Sequence, residues 1–346
     1  SHLSSGEEMR KRYGWTLSKD QESGIRYSIA KESFSAYVPT PYNGELPYGL
    51  IVWVDAGDSG NPPLEWHPIL DRYRLIWIGA LNSGNERNSL TRYGLAIDAV
   101  ENMKKLYLLE PKRIYISGIS GGGRVSSRLA LSYPDVFTGG GLYLIGCNYY
   151  RNLPTPDKKV FPGFWPKPKK ELLTLAKKNR FVLLTGSQDF NQAQTKLVYD
   201  AYLQDEFSQT LYIEIPEMEH TLPSLEWVEK AILFLDQSVR ESAERYYQQA
   251  HYYEEKKQFG EALKAYYIAS CEGFAQAFAE DSMKKVQELK PYYEEKIKKI
   301  QVQMEQGSLK EAQVALKELQ KEYAPFAQEE MALLMKTIQS KLAKKK

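Results

Sequence analysis

From residue 27 to about residue 238 the chain alternates short, almost continuously apolar runs with longer amphipathic ones, and this rhythm leaves few folds open. The runs GLIVWVDAG (Gly49 to Gly57), YRLIWIGAL (Tyr73 to Leu81), KRIYISG (Lys112 to Gly118), GGLYLIG (Gly140 to Gly146), RFVLLTGS (Arg180 to Ser187) and TLYIEIP (Thr210 to Pro216) have strand length, and most end at or beside Gly or Pro. Strands without apolar–polar alternation are buried on both faces, as in a parallel sheet. Between them, TRYGLAIDAVENMKKLYLLEP sets Leu95, Ala99, Met103 and Leu106 at helical spacing and stops at Pro111, while GGRVSSRLALSYP does the same with Val125, Leu129 and Ala130 before Pro134. NQAQTKLVYDAYLQ and PSLEWVEKAILFLDQ supply two further helices. The alternation predicts an α/β architecture, a mostly parallel sheet with helices on both faces. RYSIA and SFSAYVP alternate instead, and predict an antiparallel pair leading into that sheet.

A chain of 346 residues accommodates one large domain and an appendage. Residues 1–26 read as a leader whose Ser1-His2 start resembles a tag scar, residues 27–238 as the α/β domain, and residues 239–346 as an all-α domain. In that last part glycine almost disappears and Ala, Glu, Lys, Gln and Tyr dominate, so continuous helix is expected, broken near Gly307 and at Lys290-Pro291. Residues 147–170, CNYYRNLPTPDKKVFPGFWPKPKK, carry five prolines and several aromatics without period, the composition of a long stiffened excursion. With 46 basic and 44 acidic residues the net charge is +2, which favours neither nucleic acid nor anionic membrane as a partner. No apolar run reaches the roughly 18 residues of a membrane span. Cys147 and Cys271 fall in different predicted domains and are expected to be free thiols. The compartment is left open, with periplasmic or secreted favoured over cytoplasmic.

The stretch ISGISGGGR places Gly118, Gly121, Gly122 and Gly123 around Ser120. Gly118 to Gly122 fits G-x-S-x-G, a pattern short enough to arise by chance, but here it follows a strand and opens a helix, the strand–turn–helix setting of a nucleophile elbow. A phosphate-binding loop is the rival reading, yet neither G-x-x-x-x-G-K-[ST] nor G-x-G-x-x-G at the first strand is present. A serine hydroxyl is a poor nucleophile until a base takes its proton, so a histidine and an orienting acid are required. Of the four histidines, His2 lies in the leader, His251 on the tail, and His67 precedes the serine; His220, in PEMEHTLPSLEW, leaves the last strand. Loops at the C-terminal ends of parallel strands share one sheet edge, which selects His220 as base and Asp189, in LLTGSQDFNQ, as acid over the flanking Glu217 and Glu219. The order Ser120, Asp189, His220 is that of an α/β-hydrolase triad. Of the two N–H donors needed for an oxyanion, Gly121 supplies one by its place in the elbow, and Ala56 or Gly57 in VDAGDSG is the candidate for the second.

With RIYISGISGGGRVSSRLALSYPDVF, TGSQDFN and EMEHTLP in order, residues 27–238 resemble the α/β-hydrolase superfamily. VWVDAGDSG, NSGNERNSLTRYGLAIDAVENMKKLY and YPDVF add a likeness to its polyhydroxybutyrate-depolymerase and feruloyl-esterase branch, although Asp55-Ala56 stands where that loop commonly begins His-Gly. The resemblance implies a serine esterase acting through an acyl-enzyme on a small-molecule or polymer ester, with no metal or organic cofactor. It makes 147–170 a candidate lid, with Tyr149, Tyr150, Phe164 and Trp165 facing substrate, and makes Asn82, Asn85 and Arg87 candidates for its polar parts. The alternatives are a peptidase of the prolyl-oligopeptidase type, which has the same triad order, and a non-catalytic scaffold on the same fold.

In the tail, Tyr246, Ala250, Tyr253, Ala262, Tyr266 and Ala269, with an echo from Leu309, resemble a tetratricopeptide helix pair. Stacked helices need neighbours to cover their faces, so the resemblance implies a structural appendage or a docking surface for a protein partner or a second copy.

Overall fold

The computed structural model describes residues 2–13, 27–155 and 157–344. The chain divides into two compact units, Ser1–Gln237 and Ser238–Lys346, and each is described by itself.

In the first unit the strands are β1 (Phe34–Tyr37), β2 (Tyr48–Val54), β3 (Leu75–Ala80), β4 (Leu109–Ile119), β5 (Gly140–Leu144), β6 (Leu153–Pro154), β7 (Val160–Phe161), β8 (Arg180–Gly186) and β9 (Thr210–Ile215). Seven form one sheet in the order β1-β3-β2-β4-β5-β8-β9, with β6 and β7 a separate antiparallel pair. Within the large sheet β1 runs antiparallel to β3 and every other pairing is parallel. All residues of β2 and β5 are buried, and since successive side chains point to opposite faces, both faces of the sheet are covered. The cover comes from helices Ser89–Leu106, Gly121–Ser132, Gln192–Gln204 and Leu225–Leu235, each at one of the four predicted segments. This sheet order, with its crossover helices, is an α/β-hydrolase fold.

Two local expectations are corrected. Residues 27–30 of RYSIA join no strand; Tyr27 lays its ring on Gly94 and donates its hydroxyl hydrogen to Asp98 at 2.6 Å, which draws this segment onto a helix. β1 pairs with β3 instead, through Phe34↔Ala80 to Tyr37↔Trp77. The helix expected to run to Pro111 ends at Leu106, and β4 passes through Pro111 near its outer end. Residues ahead of the sheet also pack on this unit: Arg12 is buried over the Tyr133 ring and pairs with Asp135 at 2.6 and 2.8 Å.

Both cysteines are buried, and the two form no disulfide. Burial pushes the Cys147 thiol up to about 12, against about 8.5 for an exposed thiol. The folded state thus favours the neutral thiol: its contribution to stability is complete below about pH 8.5 and is lost as pH rises toward the folded value. Iodoacetamide at pH 8 is expected to leave native Cys147 unmodified while labelling it in urea, read by mass spectrometry; rapid native labelling would contradict this burial.

The second unit is all-α, with helices Gln237–Glu255, Phe259–Glu272, Phe278–Glu305, Leu309–Tyr323 and Gln328–Lys344. Ala250, Ala262, Tyr266 and Ala269 are buried at the spacing noted in the sequence. The chain breaks at Gly307, which takes a left-handed φ of 82°. It does not break at Pro291, which lies inside the Phe278–Glu305 helix. A proline removes one backbone hydrogen bond, but buried Val286, Leu289, Tyr293, Ile297 and Ile300 lock the turns on both sides into one core.

Candidate active site

The glycine cluster resolves into two different local requirements. Ser120 itself adopts φ 52°, ψ −115°, a conformation a non-glycine residue rarely takes, while none of the four glycines around it has a positive φ. Those glycines serve close approach: a Cβ on Gly122 would lie 1.9 Å from the Val54 carbonyl oxygen at the end of β2, and one on Gly123 2.2 Å from that of Gly146. The helix that Ser120 opens is thereby pressed onto the ends of the central strands. The Ser120 N–H donates to the Leu144 carbonyl at 2.8 Å, pinning the turn across β4 and β5.

Asp189 and His220 arrive on the loops after β8 and β9, and those loops are tied to each other. The Gln188 N–H donates to the Met218 carbonyl at 3.1 Å, the Glu217 N–H to the Ser187 hydroxyl at 2.8 Å, and Gly186 leaves no room for a side chain beside Met218. His220 Nδ1 lies 2.7 Å from Asp189 Oδ1, and its Nε2 lies 2.9 Å from Ser120 Oγ. A carboxylate only accepts, so Nδ1 carries the hydrogen and Nε2 is left to accept from the serine hydroxyl. Asp189, with its side chain wholly buried, also accepts from Thr185 Oγ1 at 2.6 Å and from the Asn191 N–H at 3.0 Å. Phe190 stacks on the imidazole, with ring centroids 4.0 Å apart. Ser120, His220 and Asp189 are therefore brought together, and the ring's Nδ1 faces Asp189 rather than Glu217 or Glu219.

The Gly121 N–H has no acceptor among the described residues. Of the two candidates on the loop after β2, Gly57 already donates its N–H to Asp55 Oδ1 at 2.8 Å, whereas no described group accepts from the Ala56 N–H.

Beside Ser120 opens a cavity of about 590 Å³ lined by Asn85, Trp165 and Phe164, among others. Asn85 sits directly over Gly121, where a Cβ would come 1.9 Å from its Oδ1. Tyr149 and Tyr150 do not line this cavity: both are buried and donate to Asp205 Oδ2 at 2.8 and 2.6 Å, next to Arg151 at 3.1 Å. Burial, reinforced by that carboxylate, pushes the Tyr150 hydroxyl up to about 12, so it stays a donor. Asn82 and Arg87 also lie outside the lining; Asn82 turns the chain at φ 51° and accepts from Arg87, which pairs with Glu32 at 2.6 Å. Arg92, Arg124, Asn148, Phe190 and Asn191 line the cavity and were not selected from the sequence. Arg124 had a signal: it stands four residues, about one helical turn, after Ser120.

No helix among the described residues is long and apolar enough to cross a membrane, and no group of three or more metal-ligating side chains is found among them. No family model matches the chain. A 40-residue segment is 42% identical to poly(3-hydroxyalkanoate) depolymerase C of Paucimonas lemoignei; the match covers 12% of this chain and only 10% of that protein's length. Among solved structures, a feruloyl esterase module from Clostridium thermocellum complexed with sinapinate is 16% identical, covering 59% of this chain and 81% of that one at a TM-score of 0.44. A poly(3-hydroxybutyrate) depolymerase from Bordetella parapertussis is 17% identical over 58% of this chain and 88% of that one, with a TM-score of 0.42. A fluorophosphonate-binding serine hydrolase from Staphylococcus aureus is 16% identical over 59% and 92%, with a TM-score of 0.43.

Proposed function

We propose that the chain is a serine hydrolase that cleaves carboxylic esters through an acyl-enzyme. One observation carries the reading: a continuous relay from Ser120 Oγ to His220 at 2.9 Å and on to buried Asp189 at 2.7 Å, starting from a serine held in a strained turn at a helix N-terminus. In this mechanism Ser120 Oγ attacks the ester carbonyl as its proton passes to His220 Nε2. Asp189 stabilises the imidazolium that forms, and His220 returns the proton to the leaving alkoxide. A water, deprotonated by the same ring, then releases the acid. The tetrahedral oxyanion is held by the N–H groups of Gly121 and Ala56, with the helix N-terminus adding its positive end. Asn85, wedged over Gly121, fixes the loop that bears Ala56 through its own N–H, which donates to the Ala56 carbonyl at 2.9 Å.

The test is covalent. A fluorophosphonate probe is expected to label the wild type once, at Ser120, and to leave Ser120→Ala unlabelled; p-nitrophenyl butyrate turnover is expected to vanish in the same variant. Folded wild type that takes no label and cleaves no ester would favour a non-catalytic scaffold.

A further inference from the structure

The described wall of the cavity next to Ser120 is positively charged. Among the described residues that line it none is acidic, while Arg92 and Arg124 both contribute to it. The Arg124 guanidinium is partly buried and its bonds go to neutral oxygens: Asn148 Oδ1 at 2.6 Å, Asn191 Oδ1 at 3.0 Å and Gln194 Oε1 at 2.7 Å. Burial lowers its proton affinity, with the Asp189 carboxylate pulling weakly the other way. That carboxylate makes its own bonds to His220, Thr185 and the Asn191 N–H. Arg92 is almost wholly buried, gives Nη2 to the Asp55 carbonyl at 2.7 Å, and has no acceptor for Nε among the described residues. The indole N–H of Trp165, 5% exposed, likewise lacks an acceptor.

A guanidinium held out of water without a carboxylate partner is costly, and so is a buried N–H without an acceptor. The first of these costs falls when an acceptor-rich anion pairs with Arg124 in the cavity, and a guanidinium matches a carboxylate in shape as well as charge. We infer that the substrate is an anionic ester, one carrying a free carboxylate within a few atoms of the scissile bond, and that Arg124 is its specificity-determining residue. The inference rests on the serine-hydrolase reading for the bond that is cleaved, but not for the anion that is bound. Arg124 stands one helical turn beyond Ser120, so a carboxylate paired with it sets the ester carbonyl near the Gly121 N–H. Arg92 adds charge from the neighbouring helix, and Phe164 and Trp165 add apolar surface to the same wall.

Two matched pairs test this: mono-(4-nitrophenyl) glutarate against its methyl ester, with the charge on the acyl side, and 4-acetoxybenzoate against its methyl ester, with the charge on the alcohol side. In wild type, kcat/KM for the anion is expected to exceed that for the neutral partner by about tenfold or more in at least one pair, the scale of a charge-assisted hydrogen bond. That ratio is expected to fall to near one in Arg124→Gln, to survive largely in Arg124→Lys, and to shrink in wild type between about 0.01 M and 1 M salt, a readout independent of any variant's folding. Neutral esters cleaved with no anion preference, or a preference unchanged in Arg124→Gln, would overturn the inference and leave the esterase reading intact. Should wild type cleave none of the four, calorimetry decides with mono-(4-nitrophenyl) glutarate and Ser120→Ala. Binding tighter than for the methyl ester and dependent on Arg124 would keep the anion site while the esterase reading fell; equal binding would remove both.

Discussion

His220→Ala is expected to lower ester turnover by about four to six orders of magnitude while leaving the fold and the binding of substrate in place. The ring is the only described group bonded to the Ser120 hydroxyl, and it sits partly exposed on a loop, where truncation removes little packing. Asp189→Asn makes a sharper companion. Asp189 accepts three hydrogen bonds, and an amide can keep its oxygen toward His220 and the Asn191 N–H if its NH2 turns to Thr185, whose hydroxyl can accept. The geometry then survives without the charge that stabilises the imidazolium, and kcat is expected to drop by about 10³- to 10⁴-fold. Near-normal turnover in His220→Ala would mean that the base has been misassigned, and in Asp189→Asn that the acid has.

The second large effect is on stability. Arg113, 1% exposed at the side chain, donates Nε and Nη2 to Asp236 at 2.7 and 2.9 Å and a further bond to the Tyr73 carbonyl at 2.7 Å, while Tyr115 donates to Asp236 at 2.5 Å. Burial opposes the guanidinium charge, but the carboxylate more than offsets it and the Arg113 proton is held more firmly than usual. Burial likewise pushes the Tyr115 hydroxyl well above its ordinary value, with Asp236 adding to the effect. Removing one partner strands a charge in the core, so Asp236→Ala or Arg113→Met is expected to destabilise this unit by about 3–5 kcal/mol in urea titration. The double change Arg113→Met with Asp236→Leu is expected to recover much of that loss, because the uncompensated charge is gone. Single variants that lose less than about 1 kcal/mol would contradict a wholly desolvated pair.

The strands and helices of the sheet were legible because burial on both faces writes unbroken apolar runs, and β2, β5 and β8 carry them. RYSIA misled because alternation reports one buried face without saying what covers it; Tyr27 is covered by a helix and Asp98, not by a partner strand. Pro291 misled because a local penalty of about 3 kcal/mol yields to packing on both of its flanks. Tyr149 and Tyr150 look like pocket aromatics in a proline-rich insert, and only Asp205, more than fifty residues on, explains why they turn inward.

For the candidate site the division is similar. Sequence alone determined the residue types and their order, Ser120, Asp189 and His220, since strand-end loops must share an edge once the sheet is parallel. Sequence also placed glycines where the backbone had to pass closely. Only the tertiary structure decided that the strain sits on Ser120 rather than on its glycines, and that the Gly57 N–H is occupied while the Ala56 N–H meets no described acceptor. Only it gathered Arg92 and Arg124 around one cavity with no carboxylate among the described lining residues. The physical reason is range: hydrophobic periodicity and turn chemistry act between neighbours in the chain, whereas the electrostatics of a cavity sum over side chains from helices and loops that only folding brings together.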